Sequence, residues 1–148
     1  MHPADSGNAV NHSVRCLSRG YIGLDFKDTV GDLTAGIDRS ELPEGQHDYM
    51  DFATPMKVGD FVLIFAHHFP LALVNVTGDY NHIKEHDESL GIWCTHFRKI
   101  ELLGYYADWV TNANNWDSIK MTDTISKLST DTGKSYQLID EWRKAYEW

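Results

Sequence analysis

The sequence is poor in the residues that mark secreted, membrane-spanning and fibrous proteins. Of its 148 residues, two are cysteine and four are proline. Cys16 and Cys94 form no CxxC motif, so they indicate neither a disulfide framework nor a zinc site and favour a reducing cytoplasm. No apolar run approaches the roughly 20 residues that span a bilayer, and the polar residues 1–5 are not those of a signal peptide. We therefore expect one cytoplasmic domain that has no membrane partner.

Basic charge is also scarce. Lysine and arginine number 13 against 22 aspartate and glutamate residues, which gives a formal net charge of −9. Nucleic acid repels such a chain at long range, so a protein that coats DNA nonspecifically is excluded. A reader with a local basic rim and a specific pocket is not excluded. Aromatic residues make up 12% of the chain, and this leaves several of them for a ligand surface after the core is filled.

The pattern of apolar residues divides the chain into a tail, a strand-rich centre and a helical end. Residues 1–18 lack periodicity and are predicted to be a tail or lead-in. Residues 19–148 are predicted to be a single domain whose C-terminal part, residues 103–148, is helical. Within that part, periodicity predicts helices over residues 119–128 and 135–148.

The centre of the chain alternates between apolar runs and turns. Strands are predicted at residues 21–26, 61–65, 71–76 and 92–103, the second and third forming a hairpin around the turn His67-His68-Phe69-Pro70. At most one short helix is expected within residues 37–56, and residues 78–91 are expected to be a polar loop. Strands in a meander with helices at the ends predict an α+β fold with a small barrel.

The last predicted strand has two distinct faces. Its residues alternate, so the set on one face is Trp93, Thr95, Phe97, Lys99 and Glu101, and the set on the other face is Cys94, His96, Arg98, Ile100 and Leu102.

Catalytic motifs are weak. The sequence has no GxSxG, P-loop or HExxH motif. His82 and His86 have the spacing of helical metal ligands, but their polar surroundings favour a loop. Asp25-Phe26-Lys27 has the Asp-x-Lys spacing of a metal-dependent nuclease strand, without a second well-placed carboxylate. We therefore predict no catalytic residue, cofactor or metal, and keep a small metal-dependent nuclease as an alternative.

Five short motifs occur in a definite order. They are Tyr21-Ile22-Gly23-Leu24-Asp25-Phe26, Gly31-Asp32-Leu33, Val58-Gly59-Asp60-Phe61-Val62, Val74-Asn75-Val76-Thr77-Gly78-Asp79-Tyr80 and Thr95-His96-Phe97-Arg98-Lys99-Ile100-Glu101-Leu102-Leu103.

In this order the motifs resemble the EVE-like branch of the PUA-like superfamily. These domains are relatives of YTH domains and lie at the N-terminus of McrB-type modification-dependent restriction proteins. Their pattern is an "IGW…GDL" strand and turn, a "GDxV" turn and strand, a "V-x-GDY" strand end and an "RKVxW" strand. The resemblance covers about residues 20–105. One departure is that the family's pocket Trp falls on Leu24, and the spacer before Gly-Asp-Leu is longer.

The resemblance implies a PUA-like barrel with a pocket for a flipped, modified base. Flipping costs a few kcal/mol, which stacking at about 1–3 kcal/mol per base offsets. Either Leu24 or Phe26 would form one aromatic or apolar wall and Tyr80 another, while Trp93 is a third wall or a core residue. Asp25 or Asp79 would accept a hydrogen bond from an exocyclic amino group.

Contacts with the nucleic-acid backbone are assigned to four further residues. They are His67, His68, Arg98 and Lys99. Arg98 and Lys99 are adjacent on a strand, so only one of them can face DNA, and both can instead be solubilising surface charges.

The expected function is therefore a non-catalytic module that reads a modified base in double-stranded DNA. It would be the specificity domain of a restriction system and would act with other domains or subunits of that complex. Recognition of RNA is the alternative within the same fold, since PUA-like barrels serve both nucleic acids. The sequence leaves open which modification is read.

Overall fold

One long strand, β5, organises an antiparallel sheet. The structure is a computed structural model, and it describes residues 9–25, 30–109, 118–120, 123–128 and 131–147. Within them the sheet has the order β1-β5-β3-β2, and β4 pairs with β5 beside β3. The strands are β1 (Tyr21–Leu24), β2 (Phe61–Ala66), β3 (Phe69–Val76), β4 (Asn81–His82) and β5 (His96–Tyr105).

Helices flank this sheet. The α-helices are α1 (Ala9–Ser18), α2 (His47–Ala53), α3 (Tyr106–Trp109) and α4 (Lys134–Tyr146), and single 3₁₀ turns lie at Arg39–Glu41, Glu44–Gln46 and Glu88–Leu90. Among the described residues, no helix has the length and apolar character needed to cross a bilayer.

The predicted hairpin is confirmed as β2 and β3. Its two turn residues, His67 and His68, have φ values of 49° and 68°. A two-residue turn with positive φ at both positions matches the right-handed twist of the flanking strands. The pairing of β3 shifts register twice, once against β2 and once against β5. Because bulges increase local twist, they help to curl the sheet, and the α+β class with a barrel-like sheet is confirmed.

Residues 9–18, which were predicted to belong to a tail, form the helix α1. Its buried residues are Ser13, Cys16 and Leu17, which share one face at i, i+3 and i+4 spacing. Two of the three are not strongly apolar, so a search for hydrophobic periodicity misses this face.

The two cysteines meet where α1 lies against the sheet. Both are free and buried, and a hydrogen bond between the thiols lowers the pKa of Cys16 and, together with burial, raises the pKa of Cys94. Cys94 also explains the motif glycine on β1. A Cβ at Gly23 would lie 2.5 Å from Cys94 Cβ and 2.5 Å from the carbonyl oxygen of His96, so only glycine fits between the strands.

The last predicted helix is confirmed as α4. Its Trp142 is fully buried and packs edge-on against Tyr106 with a centroid distance of 5.8 Å. The Arg143 guanidinium lies 4.1 Å from the centre of the Phe61 ring. Helix α4 therefore covers the sheet at the β2 side and at the end of β5.

The predicted helix over residues 119–128 is wrong in its described part. Residues 119, 120 and 123–128 are not helical. Their backbone groups bond elsewhere, since the Ile119 N–H donates to the His68 carbonyl at 2.9 Å and the Ile125 N–H donates to Asp48 Oδ1 at 3.4 Å. Long-range partners thus replace the i→i−4 bonds of a helix.

Arg98 corrects another prediction, because it lies inside the protein and not on a DNA-facing surface. Only 3% of it is exposed. Nε donates to the Phe52 carbonyl at 3.0 Å, Nη2 to the Ala53 and Met56 carbonyls at 2.8 and 3.0 Å, and Nη1 to the Gly78 carbonyl at 3.2 Å. The guanidinium therefore caps the C-terminal carbonyls of α2, and its burial lowers its pKa.

We predict that Arg98→Met lowers the free energy of unfolding by at least about 3 kcal/mol, because several buried carbonyls lose their donor. The matched control is Lys99→Met, which changes an exposed neighbour on the opposite face and should stay within about 0.5 kcal/mol of wild type. Urea unfolding of the three proteins measures both values. Equal, small effects of the two substitutions would show that the carbonyls do not depend on Arg98.

Candidate functional site

Strand pairing gathers several predicted site residues at one end of the sheet. Leu24, the last residue of β1, and His82, the last residue of β4, both pair with His96, the first residue of β5. We call this the His96 end of the sheet. Asp25 follows β1 directly, Tyr80 precedes β4 and Trp93 precedes β5.

His96 holds this end together through a buried hydrogen-bond chain. Its Nε2 lies 3.0 Å from the Val30 carbonyl oxygen and must donate to it, so Nδ1 accepts from the Tyr80 hydroxyl at 2.7 Å. The Tyr80 oxygen in turn accepts from the Leu33 N–H at 3.3 Å. The segment from Val30 to Leu33 is thereby tied to β5.

The chain requires a neutral imidazole. Burial, reinforced by the nearby His82, lowers the pKa of His96 to about 4. Burial likewise raises the pKa of Tyr80 to about 12. Tyr80 therefore stays protonated near neutral pH and donates a hydrogen bond to His96. It does not act as an acid or base in this pH range.

Leu24 and Tyr80 were predicted to be pocket walls, but both are buried. Leu24 is 2% exposed and Tyr80 is 9% exposed. Leu24 belongs to the hydrophobic core, and the Tyr80 hydroxyl is occupied on both sides. Neither side chain presents a face to a ligand. Phe26, the other predicted wall, lies outside the described residues.

Asp25 is positioned by two partners. Its Oδ1 accepts from the Thr95 hydroxyl at 3.1 Å, and its Oδ2 pairs with His86 Nε2. Asp25 is buried, whereas the His86 side chain is 44% exposed. The sequence predicts that His86 is a loop histidine, with a metal ligand beside His82 as the alternative, and no local signal connects it with a residue 61 positions away.

Two imidazoles at the His96 end, and Trp93 three residues before β5, are not fully buried. His86 is exposed, and His82 and Trp93 are half-buried. The His82 ring stacks at a tilt on His96 with a centroid distance of 4.7 Å. Trp93, predicted as either a third wall or a core residue, is half-buried, which fits both interpretations.

The other predicted contacts are dispersed. Asp79 and Lys99 are exposed but lie further along the sheet. His67 and His68 are exposed at the tip of the β2–β3 hairpin, beyond the pairing of Ala72 with Tyr105. That is the opposite end of β5, about 30 Å from His96 at 3.3 Å per residue. A single short segment of nucleic acid does not reach both ends.

A separate cleft of about 230 Å³ lies beside α2. Its lining includes Glu44, Asp48, Asp51 and Asp123, and Arg39 pairs with Asp51 at 3.1 Å. The surplus of carboxylates disfavours a phosphate there. Across the described ranges, no group of three or more His, Cys, Asp or Glu side chains is arranged to hold a metal ion.

Comparisons with protein-family models, with curated proteins and with solved structures give no match to this chain.

We predict that the protein loses stability as the pH falls from about 6.5 to about 4. The pKa of His96 is about 4 in the folded chain and near 6.5 when unfolded, so acid protonates the unfolded state first. The loss from this residue should be about 3 kcal/mol, because the ring is fully buried in the folded chain.

The measurement is urea unfolding at a series of pH values. His96→Gln, whose amide can still donate to Val30, should be less stable at pH 7 and flatter across this range. If the variant shows the same slope as wild type, His96 is not the group responsible.

Proposed function

We propose that this chain is a nucleic-acid-binding module with a PUA-like fold, and that it reads a modified base in DNA after the base leaves the helix. The observation that carries the proposal is the gathering of Asp25, His82 and His86 at the His96 end of a curled antiparallel sheet, with the half-buried Trp93 three residues before β5 in the chain. This places aromatic faces and a polar edge together, as recognition of a flipped base requires.

The motif residues also support the proposal by contacting each other. Leu33 of Gly-Asp-Leu donates to Tyr80 of Gly-Asp-Tyr, and Tyr80 donates to His96 of the last motif. Three motifs far apart in the sequence thus meet in one hydrogen-bonded chain. If the motifs belong to one family fold, their residues are expected to contact each other in this way.

The walls of the proposed site differ from those expected from the sequence. Trp93 and His82 are the partly accessible rings that can stack on a base, at about 1–3 kcal/mol per base. Tyr80 acts behind them by fixing His96, against which His82 packs. The site therefore relies on a tryptophan and an imidazole in place of the family's tryptophan after Ile-Gly.

Charge is consistent with recognition of a base and not of a phosphate backbone. The net charge is −9, and Arg98 is inside the protein. Affinity then has to come from contacts with the base at the His96 end, and we expect an unmodified duplex to bind poorly. We further propose that the module supplies specificity to a modification-dependent restriction system, with other domains or subunits of that system as partners.

We predict that a duplex with one modified base binds more tightly than the same duplex without it, in a panel that includes 6-methyladenine, 5-methylcytosine and 5-hydroxymethylcytosine. A fluorescent base analogue at the modified position should brighten on binding, because it leaves the stack. Fluorescence anisotropy titrations measure the affinities. Tighter binding to single-stranded RNA of the same sequence would instead favour the RNA alternative.

Substitutions distinguish residues of the proposed site from residues of the core. Trp93→Ala should weaken binding about five- to a hundredfold with little change in melting temperature. Tyr136→Ala, which removes an exposed aromatic on α4, is the matched control and should change neither value. Tyr80→Ala should melt well below wild type, because it removes a buried ring. Normal binding by a folded Trp93→Ala protein would contradict the proposed stacking wall.

A further inference from the structure

The pairing of Asp25 with His86 determines the hydrogen-bonding character of an exposed ring. The Asp25 carboxylate accepts from Thr95 at one oxygen and pairs with His86 Nε2 at the other. An ionised carboxylate has no proton to donate, so His86 Nε2 carries the hydrogen. In the neutral ring, Nδ1 is then an acceptor with a lone pair.

His86, and not Asp25, is the member of the pair that a ligand can reach. Asp25 is 6% exposed and each of its oxygens already has a donor. The His86 side chain is 44% exposed. Within the described residues, Nδ1 of His86 makes no hydrogen bond. The hydrogen-bond acceptor that a ligand can reach is therefore the Nδ1 atom of His86 and not the Asp25 carboxylate that the sequence suggested.

The backbone that carries His86 is braced on both sides. Asp87, the next residue, exchanges two hydrogen bonds with Ile92 at 3.1 and 3.0 Å. On the other side, the Ile83 N–H donates to the Thr95 carbonyl at 2.9 Å, directly beside the hydroxyl that holds Asp25. A ligand contact on His86 is therefore preorganised.

The charges near His86 favour a hydrogen-bond donor over an anion. Asp25 contacts the ring, and Glu85, Asp87 and Glu88 flank it in the chain, against Lys84 and the Arg19 side chain, which lies beside Gly91. A phosphate oxygen would meet these carboxylates, whereas an amino hydrogen would be attracted to the Nδ1 lone pair.

We propose that His86 is a specificity-determining residue of this site, and that its Nδ1 acceptor selects bases with an exocyclic amino group over their carbonyl counterparts. Asp25 is a positioning residue that holds the ring in the Nε2–H tautomer. This inference rests on the proposed function, because it assumes that the ligand at the His96 end is a base.

The first test uses the protein alone. Two-bond ¹H–¹⁵N correlation spectra of the full chain, at a pH where the ¹⁵N shifts show a neutral ring, should place the His86 proton on Nε2. In Asp25→Asn, Thr95 continues to donate to the remaining oxygen and the amide nitrogen faces His86. Nε2 must then accept, and the proton should move to Nδ1. A wild-type ring protonated on Nδ1 would overturn the inference.

The second test compares 5-methylcytosine with thymine at one position of the same duplex, and 5-methylcytidine with 5-methyluridine as free nucleosides. In each pair, one member has an exocyclic amino group where the other has a carbonyl group, and the adjacent ring nitrogen differs accordingly. Both members carry the methyl group. Wild type should prefer the amino member about tenfold or more. Asp25→Asn should reduce or reverse that preference, whereas a merely structural defect lowers both affinities alike.

Two further variants isolate the ring nitrogen. His86→Phe keeps a ring but removes the acceptor, so the preference for the amino member should disappear. Tyr136→Phe, at an exposed ring on α4 that has no role in the proposed site, is the control and should retain it. A His86→Phe protein that keeps the full preference would overturn the assignment.

The outcomes distinguish this inference from the proposed function. If the amino nucleoside is preferred at His86 but no DNA or RNA strand binds, the inference holds and the nucleic-acid function fails. If modified duplex binds without preference between 5-methylcytosine and thymine, the proposed function holds and the inference fails. If neither nucleosides nor strands bind, both are overturned.

Discussion

The neutral imidazole of His96 is the interaction on which the rest of this structure depends. It joins the Val30 carbonyl to the Tyr80 hydroxyl inside the protein, and so connects the segment after β1 and the residue before β4 to the central strand. Protonation would replace an acceptor at Nδ1 with a second donor facing a hydroxyl in a buried setting. Burial, reinforced by the nearby His82, lowers the pKa of His96 and so keeps the ring neutral.

Arg98, two residues along the same face of β5, extends the principle. Both residues donate to carbonyl oxygens outside the regular hydrogen bonds of helices and strands: Val30 for His96, and the end of α2 with Gly78 for Arg98. The core of this fold is therefore held partly by buried polar side chains on one strand. Because these donors are already occupied, they cannot also bind a ligand. The proposed site therefore consists of more exposed residues near His96.

Those residues form a small and locally acidic site. Asp25, fixed by Thr95, holds His86 at the surface, and His82 lies at the same end of the sheet. In a chain with a net charge of −9, long-range attraction does not bring a polyanion to this end. The base recognition that we propose would then depend on stacking and on a directed hydrogen bond.

Local patterns in the sequence determined the hairpin, α4, the α+β class and the two faces of β5. The alternation on β5 even placed Arg98 with His96 and Ile100, on the face that proves to be buried, although its charge led to its assignment to DNA. Only the tertiary structure decided that remote carbonyls would accept from Arg98, that Cys16 would meet Cys94, and that His86 would pair with Asp25. The reason is physical: alternation along a strand is local, whereas the partner of a buried polar group depends on strand register and on loops distant in the chain.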